Sequence, residues 1–222
     1  MSRLVLASIL SLAPLLAAAQ VHPKMFGRME GDTYVSPTGA FRIKTPLAPG
    51  LGGTISDTAT TVTFQDNLSV HISIVAVKQD ATERWELETR GIKDYLVNFF
   101  KTYAFTDFRR TFPGAKAEGA LFMPGYLDGS LVAYVLLPGG SMFAASVPSI
   151  VPRTDPPVAK RGNLLFIKNG FVFVISTELA ERVTEGTAYT KTIEEEDVLL
   201  RERLLDIVSR IQFAPQPSGA AK

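Results

Sequence analysis

The spacing of apolar positions changes repeatedly along the chain, and each change marks a change of element. Leu4–Leu16 is a nearly continuous apolar run, preceded by a single charge, Arg3, and followed by Ala17-Ala18-Ala19. Beyond it the period becomes two. Thr33-Tyr34-Val35 and then Phe41 and Ile43, alternating with Arg42 and Lys44, read as half-buried strands. The turn Ser36-Pro37-Thr38-Gly39 joins them, since proline presets φ and glycine supplies a positive one. Residues 47–53 carry Pro49 and Gly50, Gly52 and Gly53, and read as a loop. Alternation returns at Val62 and Phe64, and again at Val70, Ile72, Ile74 and Ala76, with Asp66-Asn67 as the turn between.

At Thr82 the period switches to that of a helix. Trp85, Ile92, Leu96, Phe99 and Tyr103 recur at helical steps, which predicts an amphipathic helix to about Tyr103 with these aromatics in the core. Thr82 is the expected cap, with Glu83 and Glu86 at the positive end of the dipole. Gly91 weakens the middle by about 1 kcal/mol. Strands are predicted at Lys116–Met123 and Ser130–Leu137, with Pro138-Gly139-Gly140 turning into a partner strand at Ser141–Val147. Leu164–Lys168 and Phe171–Ile175 flank Asn169-Gly170, the preferred type I′ hairpin turn, and are apolar at nearly every position, so both faces should be covered. The last helix runs from about Ile193 to Gln212, with Leu200, Leu204, Ile207, Val208 and Ile211 as its stripe and Thr192 as its cap.

Two blocks of strands, separated by one helix and closed by another, give an α+β fold: an antiparallel β-sheet covered by at least two helices, in a single domain. Residues 1–19 read as a secretory signal peptide, 20–31 as a lead-in, 32–213 as the domain and 214–222 as a flexible tail. The leading apolar run is too short to span a bilayer, so no stable span is expected after cleavage between Ala19 and Gln20. An uncleaved anchor is the alternative. Export of a cysteine-free chain suggests a bacterial periplasmic or secreted protein.

Composition narrows the chemistry. Lys+Arg of 23 against Asp+Glu of 22 leaves no basic excess for nucleic acid. Zero cysteines remove disulfides, thiol nucleophiles and cysteine-based metal sites.

The run Tyr34, Ser36, Pro37, Gly39, Phe41, Ile43 and Pro46, followed by Val62-Thr63-Phe64-Gln65-Asp66 and the strand Val70–Val77, resembles the PsbP-like family. The long helix after these strands and the ending at Ile211-Phe213 continue the likeness over residues 32–213. The resemblance implies an antiparallel sheet sandwiched by helices and a non-catalytic binding scaffold. Its relatives include photosystem accessory subunits and Ran-binding factors. No functional residue of that family is carried over.

Few residues offer sharper chemistry. Cleavage after Ala19 would expose Gln20-Val21-His22, whose amine, two amide nitrogens and imidazole suit square-planar Cu(II) or Ni(II). His71 shares a strand face with Ser69 and Ser73, with Asp57 and Asp66 nearby in sequence. No G-x-S-x-G elbow accompanies it, so an ordinary hydrogen-bonded strand histidine is expected. Glu194-Glu195-Glu196-Asp197 point in different directions on a helix and read as a solvated first turn. Lys101, Arg109 and Arg110 read as dipole-satisfying residues at a helix end. The proline-rich stretch 148–162 reads as a semi-rigid loop presenting Arg153, Lys160 and Arg161 to an anionic or protein partner.

The expectation is an exported binding or accessory protein of the bacterial envelope, acting on a protein partner or small ligand, without a cofactor and more a binder than an enzyme. The alternative is an exported hydrolase using carboxylates that the sequence does not single out.

Overall fold

The computed structural model describes residues 25–50, 52–146 and 157–215. The expected signal peptide, the Gln20-Val21-His22 metal site, Arg153 and residues 216–222 lie outside the described residues. The chain forms, in order, β1 (Arg28–Glu30), β2 (Thr33–Val35), β3 (Phe41–Lys44), β4 (Thr54–Asp57), β5 (Thr61–Gln65) and β6 (His71–Lys78). Helices α1 (Ala81–Arg90), α2 (Ile92–Phe99) and α3 (Phe105–Thr111) follow, with one π turn at Phe100–Ala104 between the last two. Then come β7 (Lys116–Met123), β8 (Ser130–Pro138), β9 (Val158–Lys168), β10 (Phe171–Glu178), α4 (Glu181–Thr184), α5 (Ile193–Ser209) and β11 (Ile211–Phe213).

The architecture is α+β, with two antiparallel sheets where one was expected. Seven strands lie in the order β4-β5-β6-β10-β9-β8-β7, and four in the order β1-β2-β3-β11. The large sheet is apolar on both faces. Phe64, Ile74, Phe166, Phe173 and Ile175 meet Phe41, Ile43 and Ile211 of the small sheet and Leu200, Leu204 and Val208 of α5. On the opposite face Val135, Leu137, Leu165, Val172 and Val174 meet Tyr95, Leu96, Phe99 and Phe100 from α2 and the π turn. Asn169 and Gly170 take φ of 51° and 76°, as the predicted hairpin turn between β9 and β10 requires. Gly162 faces α5, where an added Cβ would stand 3.0 Å from Leu204 Cδ1 and 3.1 Å from Leu200 Cβ.

Several expectations change. Residues 28–30, expected as part of a lead-in, form β1 and pair with β2. The single helix from Thr82 is broken at Gly91, whose φ of 75° and ψ of 160° are not helical. Its cap is Asp80, which forms a capping box with Glu83. Trp85 is 62% exposed and Tyr103 56%, so neither is core; α1 contains no buried residue. Ser141 onward is a turn leading to a short 3-10 segment (Ala144–Ser146), and the partners of β8 are β7 and β9. The final helix stops at Ser209 and Ile211–Phe213 pairs with β3. Thr192 caps α5 as expected, in a capping box with Glu195.

The basic loop also changes. Val158–Gly162 is strand, not loop, and Lys160 and Arg161 are buried on opposite faces of it, 0% and 8% exposed. Lys160 Nζ lies 2.5 Å from Glu118, 2.7 Å from Asp197 and 3.1 Å from Glu196. Burial alone would lower its pKa, but these carboxylates outweigh burial and raise it. Glu196 is 1% exposed and also pairs with Arg182 at 2.5 Å, so the first turn of α5 is not a wholly solvated acidic face.

Candidate functional site

The large sheet is apolar along most of its helix-covered face, yet a polar band crosses four of its strands. Strand β6 turns His71, Ser73, Val75 and Val77 to that face, and Ile72, Ile74 and Ala76 to the other core. The register then extends the polar positions sideways. Ser73 stands opposite Thr63 on β5 and Ser176 on β10. Ser176 stands opposite Asn163 on β9, and Glu178 opposite Arg161.

These groups fix one another. Ser176 Oγ donates to Asn163 Oδ1 at 2.6 Å, and Asn163 Nδ2 donates to Ala133 O at 3.2 Å. Arg161 donates from Nε and Nη2 to Glu178 Oε2 at 3.4 and 3.3 Å, and from Nη2 to Gly140 O at 3.1 Å. Glu178, wholly buried, also accepts from Ser141 Oγ at 2.6 Å and Met142 N at 3.2 Å. The turn expected to be a strand therefore closes over this ion pair. A buried guanidinium and carboxylate tolerate this place because each has several partners.

Above the band lies a cavity of about 510 Å³. Its floor is Thr63, His71, Ser73, Arg161, Asn163 and Ser176; Val75, Val77 and Val174 continue the floor as an apolar surface. Phe99, Tyr103, Ala104, Asp107 and Phe108 form the roof and Glu83 joins the mouth. The roof comes from α2, the π turn and α3. The π turn closes with the Phe105 N–H donating to Phe100 O, one residue wider than an α turn. The Phe99 and Tyr103 rings stack obliquely with centroids 4.8 Å apart.

His71 is 4% exposed, and its Nδ1 has no hydrogen-bond partner among the described residues. Burial, and then the Arg161 charge, hold its pKa down to about 3, so the imidazole is neutral in ordinary buffers. The expected ordinary hydrogen bond to this side chain is thus missing at Nδ1. Neither neighbouring aspartate orients the ring. Asp66 Oδ1 accepts from the backbone of Leu68, Ser69 and Val70 at 2.8–2.9 Å. Asp57 accepts from Phe26 N, Gly27 N and Tyr34 Oη.

Asn163, Ser176 and Glu178 were not singled out by the sequence, and Arg161 was placed on a loop. Their local signal is faint but real: polar residues in otherwise apolar central strands, in the first half of β9 and at the end of β10. The long-range register assembles them. Among the described residues no group of three or more His, Asp or Glu side chains could hold a metal ion, and no helix is long and apolar enough to cross a membrane.

No protein-family model matches the chain, and no curated protein matches it. Solved structures similar to it include the Ran-binding protein Mog1p of Saccharomyces cerevisiae, with 12% identity over 86% of this chain and 96% of that one, at a TM-score of 0.42. Cyanobacterial PsbP (CyanoP) from Synechocystis is 12% identical over 82% of this chain and 91% of that one, at a TM-score of 0.43. A Bacteroides thetaiotaomicron protein is 12% identical over 85% of this chain and 50% of that one, at 0.36. The resemblance to PsbP-like proteins is one of fold alone.

Proposed function

We propose that this chain is a non-catalytic binding or accessory protein of the bacterial envelope that seats a small ligand in the cavity over its large sheet. The observation that carries the binding role is the cavity itself. It pairs a partly apolar floor and an aromatic roof with a few convergent polar groups, the usual make-up of a small-molecule site. The envelope assignment rests separately on the order of charge, apolar run and small residues over 1–19.

Binding is favoured over hydrolysis by what surrounds the polar groups. The His71 ring lacks an orienting carboxylate at Nδ1, Ser176 is bonded to Asn163, and Glu178 is engaged by Arg161, Ser141 and Met142. A nucleophile–base–orienter arrangement needs these contacts the other way round. A protein partner is the second reading, favoured by Trp85 and Tyr103, which stand exposed on the helical side.

The test is a fragment screen read by backbone-amide NMR. Ligands should shift His71, Ser73, Asn163 and Ser176, and Ala104→Trp, which fills the cavity from its roof, should abolish the shifts while leaving the fold intact. Shifts confined to α1 around Trp85 would move the site to the protein-partner surface. Turnover of chromogenic esters or glycosides that survives purification and disappears in Ala104→Trp would replace binding by hydrolysis. Fractionation of native cells, with mass spectrometry of the mature N-terminus, tests the envelope assignment; a protein that keeps Met1 and stays with the cytosol overturns it.

A further inference from the structure

The polar groups left unengaged at the cavity floor point to the chemistry of its occupant. The amide and carboxylate acceptors there are already bonded within the protein: Asn163 Oδ1 accepts from Ser176, and both oxygens of Glu178 accept from the Ser141 turn or from Arg161. Donors are not. Arg161 is tied through Nε and Nη2, which leaves its Nη1 without an acceptor among the described residues although the side chain lines the cavity. Ser73 Oγ receives a hydrogen bond from Thr63 Oγ1 at 3.5 Å and retains its own proton to give. His71, nine-tenths buried, lines the same floor with a neutral ring, and its unpartnered Nδ1 is itself closed to solvent. The free Arg161 Nη1 and the Ser73 proton call for an occupant that brings acceptors, on an apolar body that fits beneath Phe99 and Phe108.

We infer that the cavity binds a small carboxylate with an apolar body, its two oxygens received by Arg161 Nη1 and Ser73 with His71 beside them. The inference rests on the reading of the cavity as a ligand site. A carboxylate fits better than a dianion, because Glu178 already balances the Arg161 charge; the ligand is held by directed hydrogen bonds from the free guanidinium edge and Ser73 and not by a net positive charge. The mouth adds a filter. Glu83 stands there and Asp107 in the roof, so a second acidic group on the outer end of the ligand would meet like charge. The occupant is therefore a monocarboxylate, and about 510 Å³ accommodates a chain of several carbons or one ring.

Octanoate, octanamide and octan-1-ol, titrated below their aggregation limits and followed by the amide shifts of Ser73, Asn163 and Ser176, test the charge requirement with the same body. Octanoate is expected to bind at least tenfold more tightly than the other two. The double variant Arg161→Gln/Glu178→Gln removes the cation together with its counter-charge, so that neither is left buried alone, and should bring the three within about threefold. Should that variant lose its amide dispersion, Arg161→Lys keeps the charge but loses the planar fork, and should reduce the preference at least fivefold. Equal binding of the three probes, or a preference untouched by the soluble variant, overturns the carboxylate assignment. So does octanoate that fails to bind while screened fragments still shift the cavity amides, and that outcome leaves the ligand site standing. Failure of octanoate and of every fragment overturns both.

Discussion

Acidification offers a direct probe of the polar floor, because one side chain dominates the response between neutral pH and about pH 5. His71 has an ordinary value of 6.5 when unfolded and about 3 when folded, through burial first and the Arg161 charge second. The folded form thus resists a proton that the unfolded chain accepts. Stability is complete above pH 6.5 and falls as pH drops toward 3, because the unfolded state binds more protons throughout that window. Each pH unit below 6.5 removes about 1.4 kcal/mol, so pH 5 should leave the protein roughly 2 kcal/mol less stable than pH 7. The carboxylates held below their ordinary values, Asp66 by three backbone N–H groups and Glu181 by Arg203, lose their contribution only at lower pH. Urea unfolding from pH 7.5 to 5.0 measures the slope, and His71→Gln should flatten it over the same range. A wild-type midpoint that stays level from pH 7 to pH 5, or a variant that keeps the full slope, would refute the account of His71 as a buried neutral group.

Replacing Lys160 by Met should destabilise the protein by about 3–5 kcal/mol in chemical denaturation, since Glu118, Glu196 and Asp197 would lose their shared cation. Adding the Glu196→Gln substitution should recover part of that loss; no recovery would mean that packing, not charge, sets the effect. Gly162→Ala should cost about 1–3 kcal/mol, because the new Cβ meets Leu200 and Leu204 of α5, and an unchanged melting temperature would show that α5 can retreat freely. Asp80→Ala should cost about 1 kcal/mol through loss of the capping box, with amide exchange quickening in α1 while α5 is unaffected.

Local chemistry was legible wherever one short stretch decides the outcome. Asn169-Gly170 demands its hairpin, Pro37 and Gly39 their turn, and Thr192 with Glu195 the start of a helix. The elements that escaped are those held by distant partners. β1 is exposed at all three positions, so no burial pattern announces it, and β4 carries only one large apolar residue, Ile55. Ile211 continues the stripe of the last helix, yet pairing with Ile43 on β3 draws it into a strand. In the first helix the apolar period runs through Gly91 undisturbed, while the positive φ there interrupts the backbone and leaves Trp85 in solvent. The cavity was the least legible of all. His71 and Ser73 share a face by alternation alone, but Asn163, Ser176 and Arg161 reach them only through the register of β6, β10 and β9. The prolines before β9 suggested an exposed basic loop. Lys160 and Arg161 instead carry their charges inward because carboxylates from three other elements wait there.

The pairing of β3 with β11 ties opposite ends of the domain edge to edge. Neither the small sheet nor the aromatic contact of Phe213 with Phe166 and Phe173 can mature inside one half of the molecule. Such distant closure slows the search for the native state. Cutting the chain in two should therefore yield pieces that recover their shape only by finding each other again.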